Sequence, residues 1–213
     1  MKQYIKDFIL FINNFLIFYN LMKKEYIFSS KIDFDSNKAN KYFKEQINKS
    51  KSYFEYGSGN STLYAKKKNI NYISIESKKD IFENLRYKKK LNVYFYSLGI
   101  TKKYSVPYFI KLKKRKIINY ANSIQKINVV PDLILIDGRF RVLCFFYVMQ
   151  FLKLKKSNKT RVLIDDFDRK EYSIIKNYYK LNFFGRIGST KLSNQKKNFN
   201  LNKIVDKFKE DPS

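Results

Sequence analysis

Residues Tyr53-Phe54-Glu55-Tyr56-Gly57-Ser58-Gly59-Asn60-Ser61-Thr62 constrain this chain more than any other stretch. An apolar strand runs up to an acidic residue, breaks at a turn with two glycines, and passes into Leu63-Tyr64-Ala65-Lys66, which can open a helix. Glycines let backbone come close to a ligand, and a helix start offers N–H groups with no partner inside the helix. Strand, tight turn and helix N-terminus together form a cradle for a nucleotide-type cofactor.

Later strands share this ending. Asn71-Tyr72-Ile73-Ser74-Ile75-Glu76 closes on a carboxylate. Pro131-Asp132-Leu133-Ile134-Leu135-Ile136-Asp137-Gly138-Arg139 is apolar at nearly every strand position, as expected of a strand buried on both faces, and leaves through Asp137. Thr160-Arg161-Val162-Leu163-Ile164 is followed at once by Asp165-Asp166-Phe167-Asp168-Arg169. Leu91 to Ser97 is a further strand, and Phe183 to Leu192 a closing pair. Helical stretches alternate with them: Ser36 to Phe43 with a capping serine, Asp80 to Arg86, Arg141 to Leu154, and 170–180. The alternation predicts an α/β fold with a doubly wound parallel sheet.

In such sheets ligands bind outside the carboxyl ends of the strands. Glu55, Glu76, Asp137 and the Asp165-Asp166 pair thereby become candidates. Each alone would serve as a helix N-cap. Together on one sheet edge they repel one another, which suits a cation or a hydroxyl-rich ligand.

Composition narrows the chemistry. A chain of 213 residues suits one domain with a full core, and 44% apolar with 18% aromatic content excludes a disordered composition. The net charge of +27 permits nucleic acid as a partner, but lysine is spread over nearly every segment instead of gathering on one element, so that partner is not favoured. There is no histidine, so acid–base or ligand work falls to carboxylates, Lys or Tyr. The single cysteine, Cys144, excludes a disulfide framework and a multi-cysteine metal site, and points to a reducing, cytoplasmic setting. Its place in the predicted 141–154 helix makes it a small core residue.

Three regions lie outside the regular alternation. Residues 1–35 comprise an apolar helix with lysines at its ends, plus a linker. The uninterrupted apolar run within residues 1–24 falls short of a bilayer span and carries Asn13-Asn14 in its middle, which favours packing on the domain or peripheral membrane association. Residues 98–128 exceed a routine connection and read equally as a substrate loop or as a solvated helix with a basic face. Residues 196–213 read as a polar C-terminal tail, leaving 36–195 as the main domain.

Glu76 stands about 20 residues after Glu55, where a carboxylate accepts both ribose hydroxyls of an adenosine-type cofactor. A dinucleotide site wants a third glycine, yet Ser61 or Thr62 occupies that position. Glu55, two residues before Gly57, would repel a pyrophosphate and suits a cationic ligand. Both features favour S-adenosylmethionine over NAD.

Glu55-Tyr56-Gly57-Ser58-Gly59-Asn60-Ser61-Thr62 resembles motif I of the class I S-adenosylmethionine-dependent methyltransferases. Ile73-Ser74-Ile75-Glu76 is similar to their ribose-binding strand, and Asp132 to Gly138 to their fourth-strand motif. The resemblance spans about residues 40–190 and implies a mostly parallel, seven-stranded Rossmann-like sheet, strand order 3-2-1-4-5-7-6, here with an added N-terminal helix. It implies a cofactor set of Glu55, Tyr56, Gly57, Ser58, Gly59, Ser61, Thr62, Glu76, Ser97, Asp137 and Gly138, with the Tyr96-Ser97 segment flanking the adenine. A finer resemblance, to metal-dependent small-molecule O-methyltransferases, maps Asp137, Asp165 and Asp166 onto catalytic and Mg²⁺-binding positions. The function implied is O-methylation of a small molecule or glycan. An RNA or DNA methyltransferase and a non-catalytic binding protein of the same fold stand as alternatives.

Overall fold

The structure, a computed structural model, describes residues 4–6, 27–102 and 106–212. Of the N-terminal apolar run only residues 4–6 are described, and they are helical and exposed; the membrane-surface expectation for residues 1–24 otherwise lies outside the described residues. Among the described residues no helix is long and apolar enough to cross a membrane.

Helix α1 (Asn37–Asn48) starts where the Ser36 hydroxyl accepts the Ala39 N–H at 3.3 Å, and leads into β1 (Ser52–Tyr56). There follow α2 (Asn60–Lys67), β2 (Asn71–Glu76), α3 (Lys79–Glu83) with a π-helical turn at Asn84–Lys88, and β3 (Val93–Phe95). The second half runs α4 (Lys114–Ala121), β4 (Leu133–Ile136), α5 (Arg141–Leu154), β5 (Arg161–Ile164), α6 (Ser173–Lys176), β6 (Asn182–Phe184), β7 (Ile187–Thr190) and α7 (Leu201–Phe208).

The strands form one seven-stranded sheet in the order β3-β2-β1-β4-β5-β7-β6. β1 to β5 are parallel; β7 runs antiparallel to both β5 and β6. This is the expected α/β Rossmann-like sheet in the expected strand order.

Successive strand side chains face opposite layers. Phe54 and Tyr56 join Ile134, Ile136, Val162 and Ile164 beneath α5. Tyr53, Leu133, Leu135 and Leu163 pack with Phe43 and Ile47 of α1 and Ala65 of α2. Eleven of the fourteen residues of α5 are buried, as its apolar content on every side requires, and Cys144 is among them.

Of the two readings of residues 98–128, the lysine run at 111–116 takes the helical one, with a basic face. It leads into α4, which keeps its basic residues outside and buries Ile117, Tyr120 and Ala121. One expectation changes: residues 196–212 are no loose tail, for Ile204, Val205 and Phe208 of α7 enter the same core as α5.

Candidate functional site

The parallel strands bring Glu76, Glu55, Asp137 and Asp165 to one edge of the sheet, in the spatial order of β2, β1, β4 and β5. A cleft of about 420 Å³ opens there, within the range of small-ligand sites. Gly57, Ser58, Gly59, Asn60, Ser61, Glu76, Ser77, Asp137, Gly138 and Arg139 form its floor and walls.

The two glycines of the turn do different work. Gly57 has φ +89°, and a Cβ there would lie 2.6 Å from the Asp137 carbonyl oxygen. Its bareness lets the β1 and β4 exits touch. At Gly59 the nearest atom to an added Cβ is 3.9 Å away, in the Phe28 ring. Gly59 is thus the glycine whose missing side chain leaves room inside the cleft. At Gly138 the crowding comes from the Tyr120 hydroxyl, 2.0 Å from where a Cβ would stand.

The turn is pinned to β2. The Ser58 N–H donates to Glu76 Oε2 at 3.1 Å, and the Ser58 and Ser74 hydroxyls are 2.6 Å apart. Glu76 Oε1 accepts the N–H groups of Ser77 (2.6 Å) and Lys78 (2.7 Å). Burial pushes the Glu76 carboxyl up to about 7, against the pull of these three donors. A carboxylate has about four acceptor sites, so Glu76 keeps capacity toward the cleft. This is a fitting receptor for vicinal hydroxyls such as those of a ribose.

Glu55 does not reach the cleft. It is fully buried on the α2 side of β1, and its carboxylate accepts hydroxyls from Tyr53 (2.7 Å), Ser61 (2.6 Å) and Thr62. The Thr62 hydroxyl in turn accepts the Gly59 N–H at 2.9 Å. Glu55 therefore locks the start of α2 under the turn, and burial raises its pKa. Tyr56 and Thr62 are also buried below the surface, Tyr56 donating to the Ala121 carbonyl at 2.6 Å. Ser97 is exposed, outside the cleft lining, and accepts the Gly99 N–H at 3.1 Å. Of the expected cofactor set, Gly57, Ser58, Gly59, Ser61, Glu76, Asp137 and Gly138 line the cleft; Glu55, Tyr56, Thr62 and Ser97 do not.

The three aspartates expected to hold Mg²⁺ hold arginines. Arg141 is buried, with Nη2 2.8 Å from Asp137 Oδ1 and Nη1 3.0 Å from Asp166 Oδ2. Its Nη1 also donates to the Asp165 carbonyl at 2.7 Å, and its Nε to the Gly138 carbonyl at 3.0 Å. Arg186, from the β6–β7 turn, places Nε 3.0 Å from Asp165 Oδ1 and also pairs with Asp166, which Arg169 contacts from the other side. Among the described residues no group of three or more acidic, histidine or cysteine side chains is arranged to hold a metal. A divalent cation would meet guanidinium groups at the carboxylates it needs, so these residues do not fit Mg²⁺, and the metal expectation is withdrawn. Burial and the Asp137 charge raise the Asp165 pKa, while Arg141 and Arg186 oppose them.

Sequence reasoning missed one wall of the cleft. Phe28, Ile32, Asp33 and Phe34 cross its mouth, held by the Ser29 N–H on Asn60 Oδ1 (3.0 Å) and the Phe34 N–H on Asn40 Oδ1 (2.7 Å). The spaced apolar residues in this otherwise polar stretch were the available signal. Asp33, Glu76 and Asp137 make the cleft predominantly acidic; Arg139 is the one cation among the described lining residues.

The fold is similar to that of a solved methyltransferase-like protein from Silicibacter pomeroyi. The TM-score is 0.65 at 17% identity, over 83% of this chain and 95% of that one. The chain shares the fold of that protein. No family model and no curated protein matches it.

Proposed function

We propose that the chain is an S-adenosylmethionine-dependent methyltransferase acting on an oxygen of a small molecule or glycan. The observation that carries this reading is the joining of the Gly57-Ser58-Gly59 turn to the Glu76 carboxylate by the 3.1 Å Ser58 bond, at the edge of the acidic cleft. Glu76 would receive the ribose hydroxyls, and the space at Gly59 would admit the chain that bears the sulfonium. Asp33 and Asp137 suit a donor that carries positive charge on sulfur and on its amino group. This electrostatic role, expected of Glu55, passes to carboxylates that face the ligand.

S-Adenosylmethionine, when bound, supplies an electrophilic methyl group that the acceptor oxygen takes from sulfur, leaving S-adenosylhomocysteine. Asp137 would receive the acceptor's hydroxyl proton; in support, it lines the cleft, is only partly buried, and commits one oxygen to Arg141. Arg141, backed by Asp165 and Asp166, holds Asp137 in place, so those two aspartates are positioning residues. Orientation of the acceptor in line with the methyl group supplies much of the rate in such a displacement.

Calorimetric titration of the protein with S-adenosylhomocysteine tests the reading. Saturable one-site binding is expected, and a wild-type protein that gives no binding heat and no thermal stabilisation overturns it.

A further inference from the structure

Four arginines gather at the exits of β4 and β5, and three of them have carboxylate partners. Arg141 pairs with Asp137 and Asp166, Arg169 with Asp166, and Arg186 with Asp35, Asp165 and Asp166. Arg139 differs. It is half-buried and lines the cleft, and its guanidinium makes no ion pair or hydrogen bond to any described residue. Only its backbone is fixed: the N–H donates to the Tyr120 hydroxyl at 3.3 Å, and the carbonyl accepts the Cys144 thiol at 3.4 Å.

Burial and the nearby Arg141 charge both lower the Arg139 pKa. A cation drawn partly out of water beside another cation is destabilising until an anion joins it. The location within the cleft is informative too. β1 separates β4 from β2, and adjacent strands lie about 4.8 Å apart, so the β4 exit stands about 10 Å from the Glu76 end. Besides burial, the groups that act on Arg139 are Arg141, Tyr172, Tyr120 and Arg169, and both arginines belong to the exits of β4 and β5. Arg139, just beyond the β4 exit, thus lines the part of the cleft left over once a donor occupies the β1 and β2 exits.

We infer that Arg139 anchors an anionic group, a carboxylate or a phosphate, carried by the methyl acceptor. The inference rests on the methyltransferase reading for the word acceptor, and on Arg139 alone for the anion. A guanidinium offers a planar pair of donors that matches either oxyanion. Asp137, two residues earlier in the same lining, keeps one carboxylate oxygen outside its Arg141 bond. An acceptor held by its anion at Arg139 can therefore present a hydroxyl to Asp137. Hydroxy acids of the uronic acid or sugar phosphate kind carry both groups. A nucleic acid strand would call for a row of cations, whereas Arg139 here stands with Asp33, Glu76 and Asp137.

The test compares wild type with Arg139→Gln, each titrated first with S-adenosylhomocysteine. D-Glucuronate, glucose 6-phosphate and neutral methyl glucoside follow, with and without saturating S-adenosylhomocysteine. Because Arg139 has no partner to lose, the variant should keep or raise the melting temperature. Expected are equal affinities for S-adenosylhomocysteine, and an about tenfold or greater loss of affinity in the variant for at least one anionic sugar. Methyl glucoside should be indifferent to the substitution. Whether glucuronate or the phosphate responds tells carboxylate from phosphate.

Three results overturn the inference. One is a tenfold loss of S-adenosylhomocysteine affinity in the variant, which would assign Arg139 to the donor's own carboxylate. The second is anionic sugars that fail to bind wild type or ignore the substitution. The third is an RNA oligonucleotide that outcompetes the sugars with steep salt dependence. A wild type that ignores S-adenosylhomocysteine yet binds glucuronate through Arg139 would sink the methyltransferase reading and keep the anion site.

Discussion

Arg141 stands 2.8 Å from Asp137, one helical turn back along the chain, and so ties the first turn of α5 to the exit of β4. The same guanidinium reaches Asp166 beyond β5, so one buried side chain holds the ends of two neighbouring strands together. Removing one partner of a buried ion pair leaves the others uncompensated and costs about 3–5 kcal/mol. Arg141→Met should lower the unfolding free energy by that amount in denaturant titration. The loss should be larger at about pH 9.5 than at pH 7, because the two proteins part only above the wild-type Asp165 value of about 8. Burial already raises the folded-state pKa of Asp165, and without Arg141 it rises further. A carboxyl whose folded pKa is raised contributes stability that is present at low pH and lost as pH climbs through that value.

Glu76 should give the site its pH dependence. Its folded-state pKa, raised by burial to about 7, means that the folded protein binds a proton more tightly than the unfolded chain does. Stability from this group is present below the ordinary carboxyl range and falls as pH rises toward 7. Ligand binding runs the opposite way, because ribose hydroxyls donate to the ionised form. S-Adenosylhomocysteine affinity should therefore rise several-fold from pH 6 to pH 8, with its inflection near the Glu76 value. Glu76→Gln should flatten that profile and weaken binding about tenfold or more, the cost of losing a charge-assisted hydrogen bond. A calorimetric pH series on the two proteins checks both statements.

The turn glycines should separate stability from binding. Gly57→Ala places a Cβ 2.6 Å from the Asp137 carbonyl oxygen at φ +89°, so it should destabilise by about 2 kcal/mol or more. Gly59→Leu meets no atom closer than 3.9 Å at its Cβ and should unfold within about 1 kcal/mol of wild type. It fills the cleft, however, and should abolish S-adenosylhomocysteine binding. Thermal melts with and without S-adenosylhomocysteine read both effects.

The strand scaffold was legible because buried parallel strands leave a strong mark. Leu133–Ile136 is buried at every position, and its all-apolar run with a carboxylate just beyond it can be read directly from the chain. The reach of each carboxylate was not legible. Glu55 and Glu76 both end apolar runs before polar turns and share one face of the sheet, since Glu55 pairs with Ser74, two residues before Glu76; Glu55 is covered by the start of α2, while Glu76, one step further out, meets the cleft. The Asp165-Asp166 pattern would look the same in sequence with either a metal or arginines as partner. The deciding groups, Arg141 and Arg186, lie about 20 residues away on either side and arrive through the tertiary fold. The helix at the C-terminus was hidden by its lysines and asparagines, although Ile204, Val205 and Phe208 fall on one helical face.

That helix supplies the last prediction. Ile204, Val205 and Phe208 of α7 lie in the cluster that contains Phe145, Phe146 and Leu152 of α5. Each such side chain contributes about 1.5–3 kcal/mol when fully buried. Just beyond it, the Pro212 carbonyl accepts the N–H of Phe140, at the turn between β4 and α5. A chain ending at residue 199 should therefore lose up to about 6 kcal/mol of stability. The exposed face of α5 should then bind a hydrophobic dye. Because Phe140 adjoins Arg139, the truncation should also loosen the cleft: S-adenosylhomocysteine should raise the melting temperature of the truncated protein by fewer degrees than that of the full chain. A truncated protein with an unchanged melting temperature would show that α7 is dispensable.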